Sequence, residues 1–313
     1  MTLAAGIPTV DAESIEQDPV AFGQRLGQAW TETGFVALVN HGVSSSVIEN
    51  CLSAAQDFFA LPLEVKMQYH MDGGGSQRGY TPPGVETAKE ATTPDCKEFW
   101  HIGQEFEATD PMATVMPMNI WPNEIYDFRS RSLEFFKEMD EFGRRLLASV
   151  ATYLGQDEGY FEDLVSSGNS ILRLLHYPPI ELNKPGERAA AHEDINVITL
   201  LVGSDQAGLE ILRRDGEWIP VHADTKAIVC NVGDMLQRLT NHVLPSTTHR
   251  VRWPSGEAAR ISRYSMPYFL HFGPNVEIKT LPSCISDGNP DLYPTSLTAQ
   301  AYLEQRLAQI GLS

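Results

Sequence analysis

Two textures divide the chain. Before about residue 170, apolar positions recur every three or four residues; beyond it they bunch into short runs closed by Gly, Asp, Asn or Pro. From Pro19 to Thr33, Phe22, Leu26 and Trp30 fall at helical spacing and Gly34 ends the pattern, which predicts a helix. GFVALVNHGV (34–43) reads as a short buried strand turning at Asn40 to Gly42. A second helix is expected from about Ser46 to Phe59, stopped before Pro62. Residues 71–97, rich in Gly, Pro and Thr with aromatics interleaved, read as a long loop of the kind that walls a pocket. From Asn123 to Leu154, Ile125, Phe128, Phe135, Met139, Phe142, Leu146, Val150 and Tyr153 keep helical step up to Gly155, predicting a long helix packed on a sheet.

After about Ser170, ILRLLHY (171–177), NVITLLV (196–202), GLEIL (208–212), EWIPV (217–221), AIVCNVG (227–233), STTHRVRW (246–253) and RISRYSMPYFL (260–270) read as strands. Strands at this spacing behind a helical half suggest an antiparallel sandwich or barrel braced by helices, with a last helix from about Leu297 to Ile310. Residues 1–313 are expected to form one domain. It comprises a mainly helical region 1–170, a strand-rich core 171–280 and a C-terminal segment 281–313.

Charge narrows the functions. With 23 Lys and Arg against 41 Asp and Glu, the net charge of −18 repels phosphate backbones and anionic lipid, so neither nucleic acid nor membrane is expected as a partner. An arginine inside a pocket can still overrule that field locally. The start of the chain lacks a basic cluster and an apolar run, and no stretch approaches ~18 uninterrupted apolar residues, so a cytoplasmic protein is the expectation. Cys51, Cys96, Cys230 and Cys284 stand far apart without a CxxC pair, which excludes a cysteine metal site read from spacing. Gly73 to Gly75 follow no strand and precede no lysine, so they are no phosphate cradle. Nothing in the pattern specifies an oligomeric state.

The chemistry concentrates in AAHEDINVITLLV (189–202). If its backbone is extended, His192 and Asp194 point to one face, an imidazole and a carboxylate side by side. Such a pair is common by chance. It gains meaning from His249 in STTHRV, because two histidines and one carboxylate leave three octahedral positions open, the arrangement of oxygen-activating iron(II). Arg263-Tyr264-Ser265 is again an extended run, and a guanidinium with a hydroxyl on one face grips a carboxylate. Iron beside a carboxylate clamp is the chemistry of a 2-oxo acid cosubstrate. Arg260-Ile261-Ser262 is a second candidate clamp, and strand parity allows only one of the two to line the site. His242, in a TNH turn, His41, in NHG, and His101 are read as mainly structural. Arg173 is divided between ion pairing and pocket lining.

With these residues in place the chain resembles the isopenicillin N synthase-like branch of the 2-oxoglutarate/iron(II) oxygenases. The resemblance is carried in order by IPTVD (7–11), GFVALVNHGV (34–43), FFALPLEVK (58–66), RGYTPPGVE (78–86), LHYPP (175–179), HED (192–194), NVGDMLQRLTN (231–241), THRV (248–251), RYSMPYF (263–269) and YPTSLTAQAYL (293–303). It implies a mixed α and β fold with a double-stranded β-helix (jelly roll) core. By position, His192, Asp194 and His249 look like the ligands of Fe(II). Arg263 and Ser265 look like the clamp on the distal carboxylate of 2-oxoglutarate, Ser265 leading into MPYF as the family pattern does. Tyr177 is similar to a family tyrosine that hydrogen-bonds a carboxylate, and Asn196 is expected near the cosubstrate. His176 stands where plant relatives carry tyrosine, a departure expected close to the site. The implied activity is oxidation, by default hydroxylation, of a small-molecule substrate with 2-oxoglutarate and dioxygen, releasing succinate and CO2. An oxidase that uses dioxygen without 2-oxoglutarate is the alternative, and a non-catalytic jelly-roll binding protein the remote one.

Overall fold

In the computed structural model the described residues are 6–71, 77–85, 96–107, 109–179, 188–203, 208–222, 224–253 and 259–309; Gly73 to Gly75 lie outside them. The helices follow the periodicity closely. Asp18 caps the Pro19–Thr33 helix by accepting from the Ala21 amide, and Pro19 occupies its first turn. Its apolar face buries Phe22, Leu26 and Trp30, and Gly34 closes it at φ 69°. A Cβ on Gly34 would lie 2.3 Å from Thr247 Oγ1 and 2.6 Å from the Pro245 carbonyl, so glycine is demanded twice over. The Ser45–Phe59 helix follows as expected. The long helix runs Phe128–Tyr153 and begins later than Asn123. The reason is local: the Asn123 amide donates to Tyr69 Oη at 2.9 Å and that hydroxyl donates to Glu124, tying the expected first turn to another segment.

Fifteen strands are described: β1 Thr9–Asp11, β2 Phe35–Val39, β3 Gly79–Thr81, β4 Glu98–Gly103, β5 Ile171–Tyr177, β6 Ala189–His192, β7 Ile198–Val202, β8 Leu209–Leu212, β9 Trp218–Pro220, β10 Ile228–Val232, β11 His249–Val251, β12 Arg263–Ser265, β13 Tyr268–Leu270, β14 Glu277–Ile278 and β15 Leu297–Thr298. The first half is therefore less helical than its pattern suggests, since β1 to β4 all join the main sheet. Both β3, inside the expected loop, and β4, buried at every position, lack the alternation that marks a half-exposed strand. The run 260–270 is broken into β12 and β13 by Met266-Pro267. Pro267 offers no amide, and its carbonyl accepts from Arg173 instead.

The main sheet orders its strands β1-β2-β10-β7-β13-β5-β4-β3, with β12 also on β5, and the second sheet orders β6-β11-β8-β9. This is the two-sheet jelly-roll arrangement, and alternation sorts its residues. Val36, Leu38, Trp100, Leu172, Leu174, Leu200, Cys230 and Tyr268 turn outward into the core shared with the helices. Phe35, Ala37, Leu201 and Val229 turn inward to meet Ile211 and Val221 from the second sheet. The Phe128–Tyr153 helix lies so close to the sheet that a Cβ on Gly143 would come within 2.8 Å of Leu270.

His176 falls on the outer face, contrary to its expected place at the site. Its Nδ1 lies 2.7 Å from Glu98 Oε1, and the same carboxylate takes Lys66 Nζ at 2.8 Å and the Tyr80 hydroxyl at 2.5 Å. Tyr264 stacks on the His176 ring at 4.7 Å. Burial pushes the Glu98 carboxyl up, but the His176, Lys66 and Tyr80 contacts outweigh it and hold it below the usual carboxylate range. A carboxyl depressed in the fold stabilises it fully above the unfolded value, ~4.3, and that contribution is lost as pH falls through the lower folded value. Glu98→Gln leaves Lys66 buried without its counter-charge. We expect urea unfolding at neutral pH to show a loss of about 3–5 kcal/mol and the variant's acid unfolding curve to lack the Glu98 component.

Candidate metal centre and its surroundings

β6 and β11 are antiparallel neighbours in which His192 faces His249 directly, bringing the ring centroids to 4.4 Å. β6 ends at His192, so strand alternation does not place Asp194. Its main chain is tied by the Asp234 amide, which donates to the Asp194 carbonyl at 2.7 Å. Its Oδ2 accepts from Thr199 Oγ1 at 2.6 Å and from Asn231 Nδ2 at 2.8 Å. The other oxygen, Oδ1, is left facing both rings, 3.8 Å from His192 Nε2 and 3.7 Å from His249 Nε2. The three donor atoms lie within 4.8 Å of one another, close to the span of about 4 Å that ligands each ~2 Å from one ion can have.

The protonation pattern suits a cation. His192 Nδ1 lies 2.7 Å from the Ala190 carbonyl and His249 Nδ1 lies 3.1 Å from the Thr247 carbonyl. Carbonyls only accept, so each Nδ1 carries the hydrogen and each Nε2 lone pair is directed at the shared point. Burial, with His249 adding, holds the His192 imidazole down to about 4, neutral as a ligand must be. Burial pushes the Asp194 carboxyl up, yet the two imidazoles and the Asn231 and Thr199 donors outweigh it and keep it below its usual range. His192 sits deep in the surrounding mass while its side chain stays 39% exposed, so the triad forms the floor of an open hollow.

The expected carboxylate clamp also faces inward. Arg263 pairs with Tyr177 and Ser265 with Leu175 in the β12–β5 register. Arg263 is buried, its guanidinium carbon 5.4 Å from the centroid of the Tyr177 ring, and its Nε has no partner among the described residues. The rival clamp points away: Arg260 is exposed, in a 3-10 turn before β12, and Ser262 Oγ lies 3.0 Å from His176 Nε2. Beside Arg263 stands a guanidinium that the spacing of motifs does not reveal. Arg188 is fully buried, lies 5.7 Å from the Tyr177 ring and 5.9 Å from that of Trp253, and all three of its nitrogens lack partners among the described residues. Burial first, and the charge of Arg263 second, lower it to about 10.

Asn196 departs from expectation. Its Nδ2 donates to the Ile198 carbonyl at 2.8 Å and to Thr199 Oγ1 at 3.0 Å, so its donors brace the threonine that holds Asp194 and are not free for a cosubstrate. Thr199 and Asn231, neither singled out by the motifs, are partners across β7 and β10. The signal was present, since each is a polar residue inside an otherwise apolar strand. Among the remaining histidines, His242 Nε2 lies 2.5 Å from Tyr293 Oη and His41 Nε2 lies 3.1 Å from the Lys226 carbonyl, both as structural residues. His101 and Arg173 meet across β4 and β5, Nε to Nε2 at 2.5 Å, with Arg173 stacked 4.4 Å from the Phe99 ring.

Known proteins share this arrangement. Residues 7–124 match the family described as non-haem dioxygenase in morphine synthesis N-terminal, and residues 168–272 match the 2OG-Fe(II) oxygenase superfamily. The chain is 32% identical over 282 residues to the 2-oxoglutarate-Fe(II) type oxidoreductase hxnY of Emericella nidulans, covering 87% of this chain and 80% of that protein. A crystal structure of a 2OG-Fe(II) oxygenase family protein from Caulobacter crescentus superposes with a TM-score of 0.92 at 45% identity, over 98% of this chain and 100% of that one. The crystal structure of a full-length Neurospora crassa protein in complex with alpha-KG superposes with a TM-score of 0.86 at 28% identity, over 96% and 95% of the two chains.

The bracing of Asp194 is testable apart from turnover. Thr199→Val removes one of its two side-chain donors, and we expect the apparent iron(II) affinity, measured against a chromophoric chelator, to fall about 10- to 100-fold with the fold intact by circular dichroism.

Proposed function

Because this chain belongs to the 2OG-Fe(II) oxygenase superfamily, we propose that His192, Asp194 and His249 hold its iron and that Arg263, Ser265 and Tyr177 receive the far carboxylate of its cosubstrate. The protein is a 2-oxoglutarate/iron(II)-dependent dioxygenase that oxidises a small organic molecule. Bound iron(II) supplies the site at which 2-oxoglutarate and dioxygen are brought together, so that decarboxylation to succinate and CO2 is coupled to substrate oxidation.

The chain's own residues orient the partners. Two neutral imidazoles and one carboxylate would leave a single positive charge on a bound Fe(II) and one side of it uncovered. Arg263 offers a planar fork to a carboxylate from a wall that excludes water, where a charge-assisted hydrogen bond is strongest. Thr199, Asn231 and Asn196 keep the Asp194 carboxylate turned so that one oxygen faces the metal position. The observation that carries this reading is the convergence of the three donor atoms within 4.8 Å, from segments far apart in sequence, together with a buried Arg263 whose Nε has no partner among the described residues. Hydroxylation is the outcome we assign. The hollow above His192, with His101, Arg173 and Phe99 on the same inner wall, is where the substrate enters. We place the protein in the cytoplasm, supported by four free cysteines and by the lack of any helix among the described residues long and apolar enough to cross a membrane.

Purified protein with iron(II), ascorbate and a turned-over substrate is expected to release succinate in step with product. Arg263→Ala should raise the 2-oxoglutarate KM about 30-fold or more, the cost of removing one partner of a buried charge-assisted pair. Unchanged KM in that variant would refute the clamp, and oxygen uptake that ignores 2-oxoglutarate would favour the oxidase alternative.

A further inference from the structure

The region around Tyr177 holds more positive charge than one arginine clamp explains. Arg188 and Arg263 both lie against the ring of Tyr177, 5.7 and 5.4 Å from its centroid. Arg188 is 0% exposed and Arg263 4% exposed. Among the described residues no carboxylate, carbonyl or hydroxyl accepts from Arg188 Nε, Nη1 or Nη2, from Arg263 Nε, or from Trp253 Nε1. All five orphaned atoms are donors. A buried donor left unmade costs about 1–3 kcal/mol, more when charged, and two like charges on one ring add repulsion. A cluster of this kind fits a guest that only accepts and carries negative charge, which is what a carboxylate does.

We propose that Arg188 is a second clamp residue, sharing with Arg263 the distal carboxylate of the 2-oxo diacid, so that the cosubstrate is held by two guanidinium forks over Tyr177. The assignment rests on the cosubstrate reading above and adds to it a residue from the opposite sheet, since Arg188 leads into β6 of the second sheet while Arg263 lies on β12 of the main one. Arg188 is 0% exposed where the His192 side chain is 39% exposed, which favours the enclosed end of the cosubstrate over an acidic substrate. A clamp spanning both sheets ties cosubstrate binding to their spacing. It also answers the chain's net charge of −18, which a dianion must overcome to enter.

The test uses full-length Arg188→Met, which keeps length and apolar bulk but removes the fork. Anaerobic iron(II) protein is titrated with 2-oxoglutarate and, separately, with pyruvate, a 2-oxo acid without the distal carboxylate, following the visible absorption of the 2-oxo acid chelate. We expect the 2-oxoglutarate Kd to rise at least 10-fold and the pyruvate Kd to change by less than 2-fold. In metal-free protein, glutarate should raise the melting temperature of the parent chain but not of Arg188→Met. Equal 2-oxoglutarate affinity or an equal loss with pyruvate overturns the assignment. Should Arg188→Met fail to fold, Arg188→Lys carries the same comparison. A point charge without a fork is expected to weaken 2-oxoglutarate at least 3-fold, and no change there overturns the proposal. A parent protein that shows no absorption change with either acid refutes the cosubstrate reading itself, an outcome distinct from a parent response that Arg188→Met leaves undiminished.

Discussion

The register between β6 and β11 is the constraint on which the site depends. It sets His192 against His249, and a slip of one residue would turn one imidazole out of the hollow. The register is defended from several sides. β11 also pairs with β8, Thr247 hydrogen-bonds the Thr33 carbonyl at the end of a helix, and Gly34 leaves room for that threonine where any side chain would collide. Phe35 meets the His249 ring edge-on at 5.4 Å, so the strand that follows the glycine supports the ligand directly. A helix stop read from the sequence as local punctuation thus also positions His249, one of the three residues proposed to hold the iron.

The main sheet separates stability from chemistry by alternation. Ile198 and Leu200 enter the helix-backed core while Thr199 between them holds Asp194; Leu174 and His176 face outward while Leu175 and Tyr177 face the barrel interior. Neighbours in sequence have unrelated environments. His176 and Tyr177 show it most plainly, one in a buried ion network with Glu98 and Lys66, the other beneath two arginines. The substitution of histidine for tyrosine at 176 is therefore answered by Glu98, Ser262 and Tyr264 on the far side of the sheet, and it bears on packing before it bears on substrate.

Much of this was legible in the chain. Helical periodicity located the three long helices to within a few residues, and the alternation of β12 puts Arg263 and Ser265 on the face opposite Tyr264. The three donor residues were found by type and position, although Asp194 reaches its place through Asp234, Thr199 and Asn231 and not through strand alternation. What stayed hidden depends on pairing partners. β4 is buried at all of its positions and shows no period of two, and β3 is a strand only because β4 lies beside it. Asn196 sits next to the site by position, but its role follows from where its amide points, which no spacing reports. Arg188 was invisible for a related reason: an arginine before a run of alanines reads as an exposed loop residue until the fold closes over it.

Electrostatics connects these parts. A chain with a large excess of acid groups buries two guanidinium groups beside Tyr177, with donors that no described residue accepts from, and turns one oxygen of Asp194 toward two imidazoles. In a low-dielectric interior both are unfavourable alone. On the assignments proposed above, an iron(II) ion would answer the carboxylate oxygen and the imidazole lone pairs, and a dianion would answer the guanidinium donors. A neutral molecule relieves neither. On the proposed assignment, selectivity for a metal and a diacid together would follow from the sign of these groups, with no contact to the substrate whose oxidation they serve.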